Sequence, residues 1–231
     1  MHSAALILLF SLAHLTLGTP VASPASELAV AAPKPIATHK LLDFEDGPEP
    51  NIFSFLFPEL NKIGKKAGLN WQGFIYGGGE TDPIIGVKPQ SGTHVAAYGL
   101  GTGAKGLDGP AILTPLPGYD TFDIDSFYFA CVFETAANTP GISVTDSCSV
   151  VFKGYKPGSE KVFGTTRTFK RGSGETQDME KATFDKDELR GLERLEMLLY
   201  NDNDVAGSVK ATLSALLLDN FGYTLYSKKK V

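Results

Sequence analysis

The sequence predicts an all-β fold, and three observations carry the prediction. Gly 25 and Pro 14 together make up about one residue in six of the 231, above the usual share of about 12%. Aromatic residues reach 10% while charged residues stop at 20%. Short runs that alternate apolar and polar side chains recur between turn residues, as half-buried strands do. Lys plus Arg number 21 against Asp plus Glu 26, a formal charge of −5. That balance argues against a nucleic-acid partner bound through bulk charge.

Residues 1–18 contain no Lys, Arg, Asp or Glu, and Ala4 to Leu17 is an apolar run broken only by Ser11, His14 and Thr16. This reads as a signal peptide with a cleavage point before Thr19, Ala22 or Ala25 serving nearly as well, although a basic start is lacking. The run is too short to span a bilayer, and the C-terminal LYSKKKV is not a glycolipid-anchor tail. The expectation is a secreted protein, extracellular or cell-wall associated, with no membrane span. Residues 19–39 follow, where Pro20, Pro24, Pro33 and Pro35 punctuate Ala and Ser without any period, which reads as a flexible leader. Residues 40–231 show no second linker and no internal repeat, so they are expected to form one domain.

Strand candidates within that domain are Leu41 to Phe44, Trp71 to Tyr76, Thr93 to Tyr98, Ala111 to Leu113, Ser126 to Phe133, Cys148 to Lys153, Val162 to Phe169, Ala182 to Phe184 and Leu216 to Tyr226. Lys186 to Tyr200 resists, because Leu189, Leu192, Leu195 and Leu199 also fit a helical period. Gly191 interrupts that period, and Leu195, Met197 and Leu199 alternate with Arg194, Glu196 and Leu198. The segment is read as a short turn followed by a strand.

Cys131 and Cys148 are the only cysteines, and an oxidising compartment makes pairing the default. Alternation places Cys131 with Phe127, Phe129 and Phe133, and Cys148 with Val150 and Phe152, so both thiols point to the apolar side. The two candidate strands read as neighbours joined by a long hairpin connection. A bridge closing a loop of about 17 residues stabilises by about 3 kcal/mol in the chain-entropy account.

Five segments in order carry a resemblance: LLDFEDG at Leu41 to Gly47, GLNWQGF at Gly68 to Phe74, PQSGTHVAAYG at Pro89 to Gly99, FDIDSFYFACV at Phe122 to Val132, and LLLDNFGYTLY at Leu216 to Tyr226. Together they resemble fungal-type secreted proteins with a galactose-binding-like jelly roll, similar to carbohydrate-binding modules. The resemblance implies a jelly-roll β-sandwich of two antiparallel sheets, with the first and last strands side by side. It further implies a structural calcium held by an acidic residue from each, at the matching positions Glu45 and Asp219. Hard cations take six to eight oxygen ligands, which carboxylates and loop carbonyls supply. The competing reading keeps Asp43, Glu45 and Asp46 as a solvated turn and lets Asp219 bond locally.

Sugar recognition needs an aromatic face with polar side chains around it. Trp71 beside Asn70 and Gln72, with Tyr76, His94 and Tyr98 nearby, supplies candidates, and Tyr119 in a Pro- and Gly-rich loop supplies another. Core packing competes for Trp71 in particular. Catalytic arrangements find less support. His2 and His14 leave with the signal and His39 falls in the leader, so only His94 remains in the domain, and there is no GxSxG elbow. Gly101, Gly103 and Gly106 have dinucleotide-loop spacing but LDGP follows in place of a helix. Paired carboxylates remain the catalytic option, yet Asp120, Asp123 and Asp125, or Asp185, Asp187 and Glu188, read as solvated turns, as do Asp202 and Asp204. The sequence therefore favours a non-catalytic, lectin-like module recognising cell-wall or extracellular glycans. The alternatives are an effector-like protein binding a host or cell-surface protein, or a glycan-active hydrolase or lyase.

Overall fold

The computed structural model describes residues 34–48, 61–78, 86–99, 110–134, 143–159, 161–174, 176–201 and 214–227. Contacts divide the chain into Met1–Ala32, which lies outside the described residues, and Pro33–Val231. The signal peptide, most of the leader, the Gly101 to Gly106 loop, Asp202 and Asp204, and the lysine tail also lie outside them.

Fourteen strands are present among the described residues: β1 Ile36–Leu42, β2 Lys62–Lys66, β3 Leu69–Gly78, β4 Val87–Lys88, β5 His94–Gly99, β6 Ala111–Pro115, β7 Thr121–Glu134, β8 Ser143–Thr145, β9 Cys148–Tyr155, β10 Val162–Phe169, β11 Gln177–Asp178, β12 Glu180–Thr183, β13 Arg194–Asn201 and β14 Ser214–Ser227. The fold is all-β. One large antiparallel sheet runs β10-β9-β13-β6-β3-β5-β14-β7-β12, with β1 on β14, β2 on β3 and β8 on β7, and β11 and β4 form a short parallel pair.

The sheet curls back on itself to make the two layers of a jelly-roll sandwich. β3 is the strand along which the path turns: Leu69 to Gln72 pair with β6, whereas Ile75 to Gly78 pair with β5. Gly73, between the two stretches, takes a φ of +86°, a left-handed conformation that glycine adopts without penalty. The curl brings β7 and β14 over β9, β10 and β3, and aromatic rings fill the space between. Trp71 meets Phe44, Phe74 and Phe221 edge-on at 5.3, 5.5 and 5.0 Å, while Phe127 stacks on Phe221 at 5.5 Å and tilts against Phe152 at 5.6 Å. Each such pair adds about 0.5–1.5 kcal/mol beyond its buried area.

Three expectations are corrected in detail. The first strand lies earlier than Leu41 to Phe44, because Phe44 turns the chain at φ +66° and its carbonyl accepts the Gly47 N–H. Ile36 to His39, assigned to the leader, are therefore sheet residues. Cys131 and Cys148 are bonded, but their strands are not neighbours: β7 pairs with β14, β12 and β8, and β9 with β10 and β13. The disulfide thus fastens one layer to the other through the core. Asp123 and Asp125 lie inside β7 and not in a turn ahead of it.

The segment from Lys186 is a turn, bent left-handed at Leu189 and Gly191, followed by strand β13, as alternation indicated. No α-helix occurs among the described residues.

Candidate functional site

The first and last strands pair antiparallel along their length, Ile36 opposite Ser227 and Leu42 opposite Phe221. Beyond Leu42 the chain turns, while on β14 the ladder slips between Asp219 and Gly222, with Asn220 at φ +45°. Such a bulge re-aims the side chains beside it. Glu45 and Asp219, 174 positions apart in the sequence, converge there on one loop, residues 91–94.

Glu45 accepts the backbone N–H groups of Thr93 at 3.1 Å and His94 at 3.0 Å, and faces His94 Nδ1 at 3.6 Å. Asp219 accepts the Ser91 N–H at 2.7 Å, the Ser91 hydroxyl at 3.0 Å and the Asn220 N–H at 2.6 Å. Gly92 is required between them, since its φ is +41° and a Cβ there would overlap the Glu45 carboxylate. Burial pushes the Asp219 pKa up and Glu45 adds to the rise, while the amide and hydroxyl bonds pull it down.

The expected calcium does not fit this donor set. Both carboxylates face N–H and O–H hydrogens, whose positive ends take the place a cation would occupy. Among the described residues no group of three or more His, Cys, Asp or Glu side chains gathers to hold a metal. The pair is an amide clamp that fixes the loop before β5 against both ends of the domain.

The sequence-predicted ligand residues disperse. Trp71 is 1% exposed in the centre of the core, so its faces are unavailable for stacking on a sugar. Tyr98 is buried with its hydroxyl against the Ala111 backbone, and Tyr76 is buried beneath the Lys66 ammonium. Tyr119 is half-buried and packs against the core. Only His94 joins the Glu45–Asp219 junction, and it too is buried. Apart from that junction, the aromatic candidates serve as packing.

A different surface carries two outward aromatics, Tyr200 exposed and Tyr155 half-buried. On the outer face of β10, β9, β13, β6 and β3 the register sets side chains in rows. Val162, Tyr155 and Arg194 form one; Gly164, Lys153, Glu196, Ile112 and Gln72 form the next; then come Thr166, Val151 and Leu198, and finally Thr168, Ser149 and Tyr200. Tyr200 is 47% exposed and Val162 45%. The Arg194 guanidinium lies 3.8 Å from the Tyr155 ring centroid and 3.3 Å from Glu196, and the Tyr155 hydroxyl donates to Glu196 at 2.9 Å. That bond to a carboxylate raises the Tyr155 pKa and fixes its ring. Ser149 and Thr168 share a hydroxyl bond at 3.0 Å. Sequence reasoning passed over Tyr155 and Tyr200, although alternation along CSVVFKGY and RLEMLLYN already sets both on the polar side of their strands.

No protein-family model matches the chain. No curated protein matches it either. Among solved structures, a DUF4465 family protein from Bacteroides caccae is 14% identical, covering 83% of this chain and 100% of its own, with a TM-score of 0.47. The Stig cyclase Fisc from Fischerella sp. TAU, solved in complex with (3Z)-3-(1-methyl-2-pyrrolidinylidene)-3H-indole, is also 14% identical, with 82% and 100% coverage and a TM-score of 0.32.

The outer face of the opposite layer bears a closed polar network. Asp125 accepts from Arg190 at 2.5 Å and from the Thr224 hydroxyl at 3.0 Å. The single Thr224 proton goes to the carboxylate, so His39 Nδ1, 2.8 Å away, is the donor to Thr224. Asp123 accepts the Gly191 N–H at 2.6 Å and the Tyr226 hydroxyl at 2.8 Å; burial, and after it that bond to a carboxylate, pushes the Tyr226 pKa up to about 12. Both carboxylates are engaged in tying the 184–191 turn and β1 to the sheet.

Proposed function

We propose that this chain is a secreted, non-catalytic glycan-binding module of the jelly-roll type, and that it binds through the outer face of β9 and β13. A pyranose offers an apolar C–H face and a rim of hydroxyls, so its site needs aromatic rings flanked by groups that donate and accept hydrogen bonds. The observation that carries the reading is the pair of outward tyrosines, Tyr155 and Tyr200, with Val151 and Leu198 between them and Lys153, Glu196, Ser149, Thr166 and Thr168 alongside. Val151 and Leu198 are half-buried, so the floor is apolar yet accessible. Arg194 lies over one face of the Tyr155 ring and Glu196 holds its hydroxyl, so at this end the guanidinium meets a ligand in place of that face, while Tyr200 offers the exposed ring; the fixed geometry lowers the entropy lost on binding.

Retention on insoluble cell-wall polysaccharides, released by soluble sugar, tests the reading. Tyr155→Ala and Tyr200→Ala are each expected to weaken retention sharply, and the double variant to abolish it, without changing the melting temperature by more than a few degrees. Retention that survives both substitutions sinks the assignment of the face. Capture of a host or cell-surface protein in place of glycan, lost in the same variants, would favour the second reading, since Tyr and Arg also dominate protein-binding hot spots. Release of soluble fragments from the polysaccharide would favour a hydrolase or lyase.

A further inference from the structure

We infer that the ligand of this face is an extended chain of linked sugars lying along β9 and β13 and held at both ends, and not a single terminal sugar. The inference rests on the glycan reading above and adds a length and a direction to it. Tyr200 sits beside Ser149, and Tyr155 beside Arg194, on paired antiparallel strands. Ser149 and Tyr155 are six positions apart on β9, so the two tyrosine positions lie about 20 Å apart along the strands at about 3.3 Å per residue, with the Tyr155 ring leaning inward toward Glu196. One sugar ring reaches only one of them.

The strip between the tyrosines is itself divided. Outward rows repeat about every 7 Å, twice the rise per residue. From Tyr200 the rows pass through Val151 with Leu198, then Lys153 with Glu196, and end at Tyr155 with Arg194. Thr168 and Thr166, both exposed, line the β10 side of the first two rows. An exposed ring at Tyr200, an apolar step, a polar step and the Arg194-capped ring of Tyr155 form a track for a polymer of repeating units, not a pocket enclosing one. Arg194 pairs with Glu196, and Lys153 flanks Glu196 from the next strand, so two cations against one carboxylate leave the track only one net positive charge. A neutral chain held by stacking and hydroxyl contacts suits it.

Occupying two linked half-sites raises affinity well beyond either alone. The test is calorimetric titration of the full chain with soluble fragments of cellulose, chitin and β-1,3-glucan, from one to six sugars long, at low and high salt. For one of these polymers affinity is expected to climb about tenfold or more with length until both tyrosines are reached, then to level off, with little effect of salt. Tyr155→Ala and Tyr200→Ala should each remove the gain with length while leaving short fragments bound at the other end. Tyr155→Phe and Tyr200→Phe, which keep the rings, should retain it. A monosaccharide bound as tightly as the longest fragment would overturn the extended chain and leave the glycan reading standing. No binding to any fragment, by a protein that melts normally and is not retained on polysaccharide, would overturn both.

Discussion

Asp219, fully buried where the closing strand bulges, accepts the Ser91 N–H at 2.7 Å, and Glu45 takes the amides of Thr93 and His94 from the same loop. The last strand and the turn after the first thereby hold a third segment that neither pairs with at that point. Burial and Glu45 raise the Asp219 pKa above its ordinary 3.8. A native carboxyl that keeps its proton more readily than the unfolded chain favours the native state at acid pH. That contribution fades as pH rises through the native pKa. In Asp219→Asn it is absent. The stability difference, wild type minus variant, should therefore fall as pH rises from the acid end toward neutrality in urea titrations; a difference independent of pH would contradict the assignment.

Chelation gives a second prediction. Because amide and hydroxyl hydrogens occupy the Glu45 and Asp219 carboxylates, EDTA should leave the melting temperature where it is. A fall on chelation, reversed by added calcium, would restore the metal reading. Gly92→Ala, by contrast, should cost about 1–3 kcal/mol, since it forces a side chain onto the Glu45 carboxylate at a φ of +41°. Thermal melting of the variant checks this.

The disulfide offers a third. Cys131 and Cys148 belong to strands in different layers, with Cα atoms 6.1 Å apart. Replacing both with Ser should cost about 3 kcal/mol in urea unfolding. A loss near zero would mean that aromatic packing alone keeps the layers together.

Trp71 supplies a fourth. Its ring touches Phe44, Phe74 and Phe221, so Trp71→Ala should cost about 3–5 kcal/mol. Trp71→Phe, which keeps most of the packing, should bind polysaccharide as wild type does. Loss of retention in a stably folded Trp71→Phe protein would return Trp71 to the ligand.

The fold was legible because alternation is a local property. Val162 to Phe169 is a strand over that full range, and β13 starts where Leu195, Met197 and Leu199 begin to alternate. The convergence of Glu45 and Asp219 was also anticipated, through the resemblance. What their carboxylates bind was not, since the amides of residues 91–94 come from a loop whose position no spacing reveals. The disulfide partners were correct, but the crossing between layers depends on how the sheet curls at Gly73, a long-range property. Trp71 was misplaced among ligand residues because alternation says which residues share a face and not which face is covered. Tyr155 and Tyr200 sat on the polar side of their strands all along, and only the register of β9 against β13 shows that they share one surface.

The antiparallel pairing of Ile36 with Ser227 has a practical outcome. Both ends of the sheet-forming chain emerge at the same spot, so a short peptide could join them into a ring without disturbing the core. New termini could then be opened at the exposed turn around Pro157 and Gly158. A domain built this way can be spliced into a loop of another protein as readily as hung from its end.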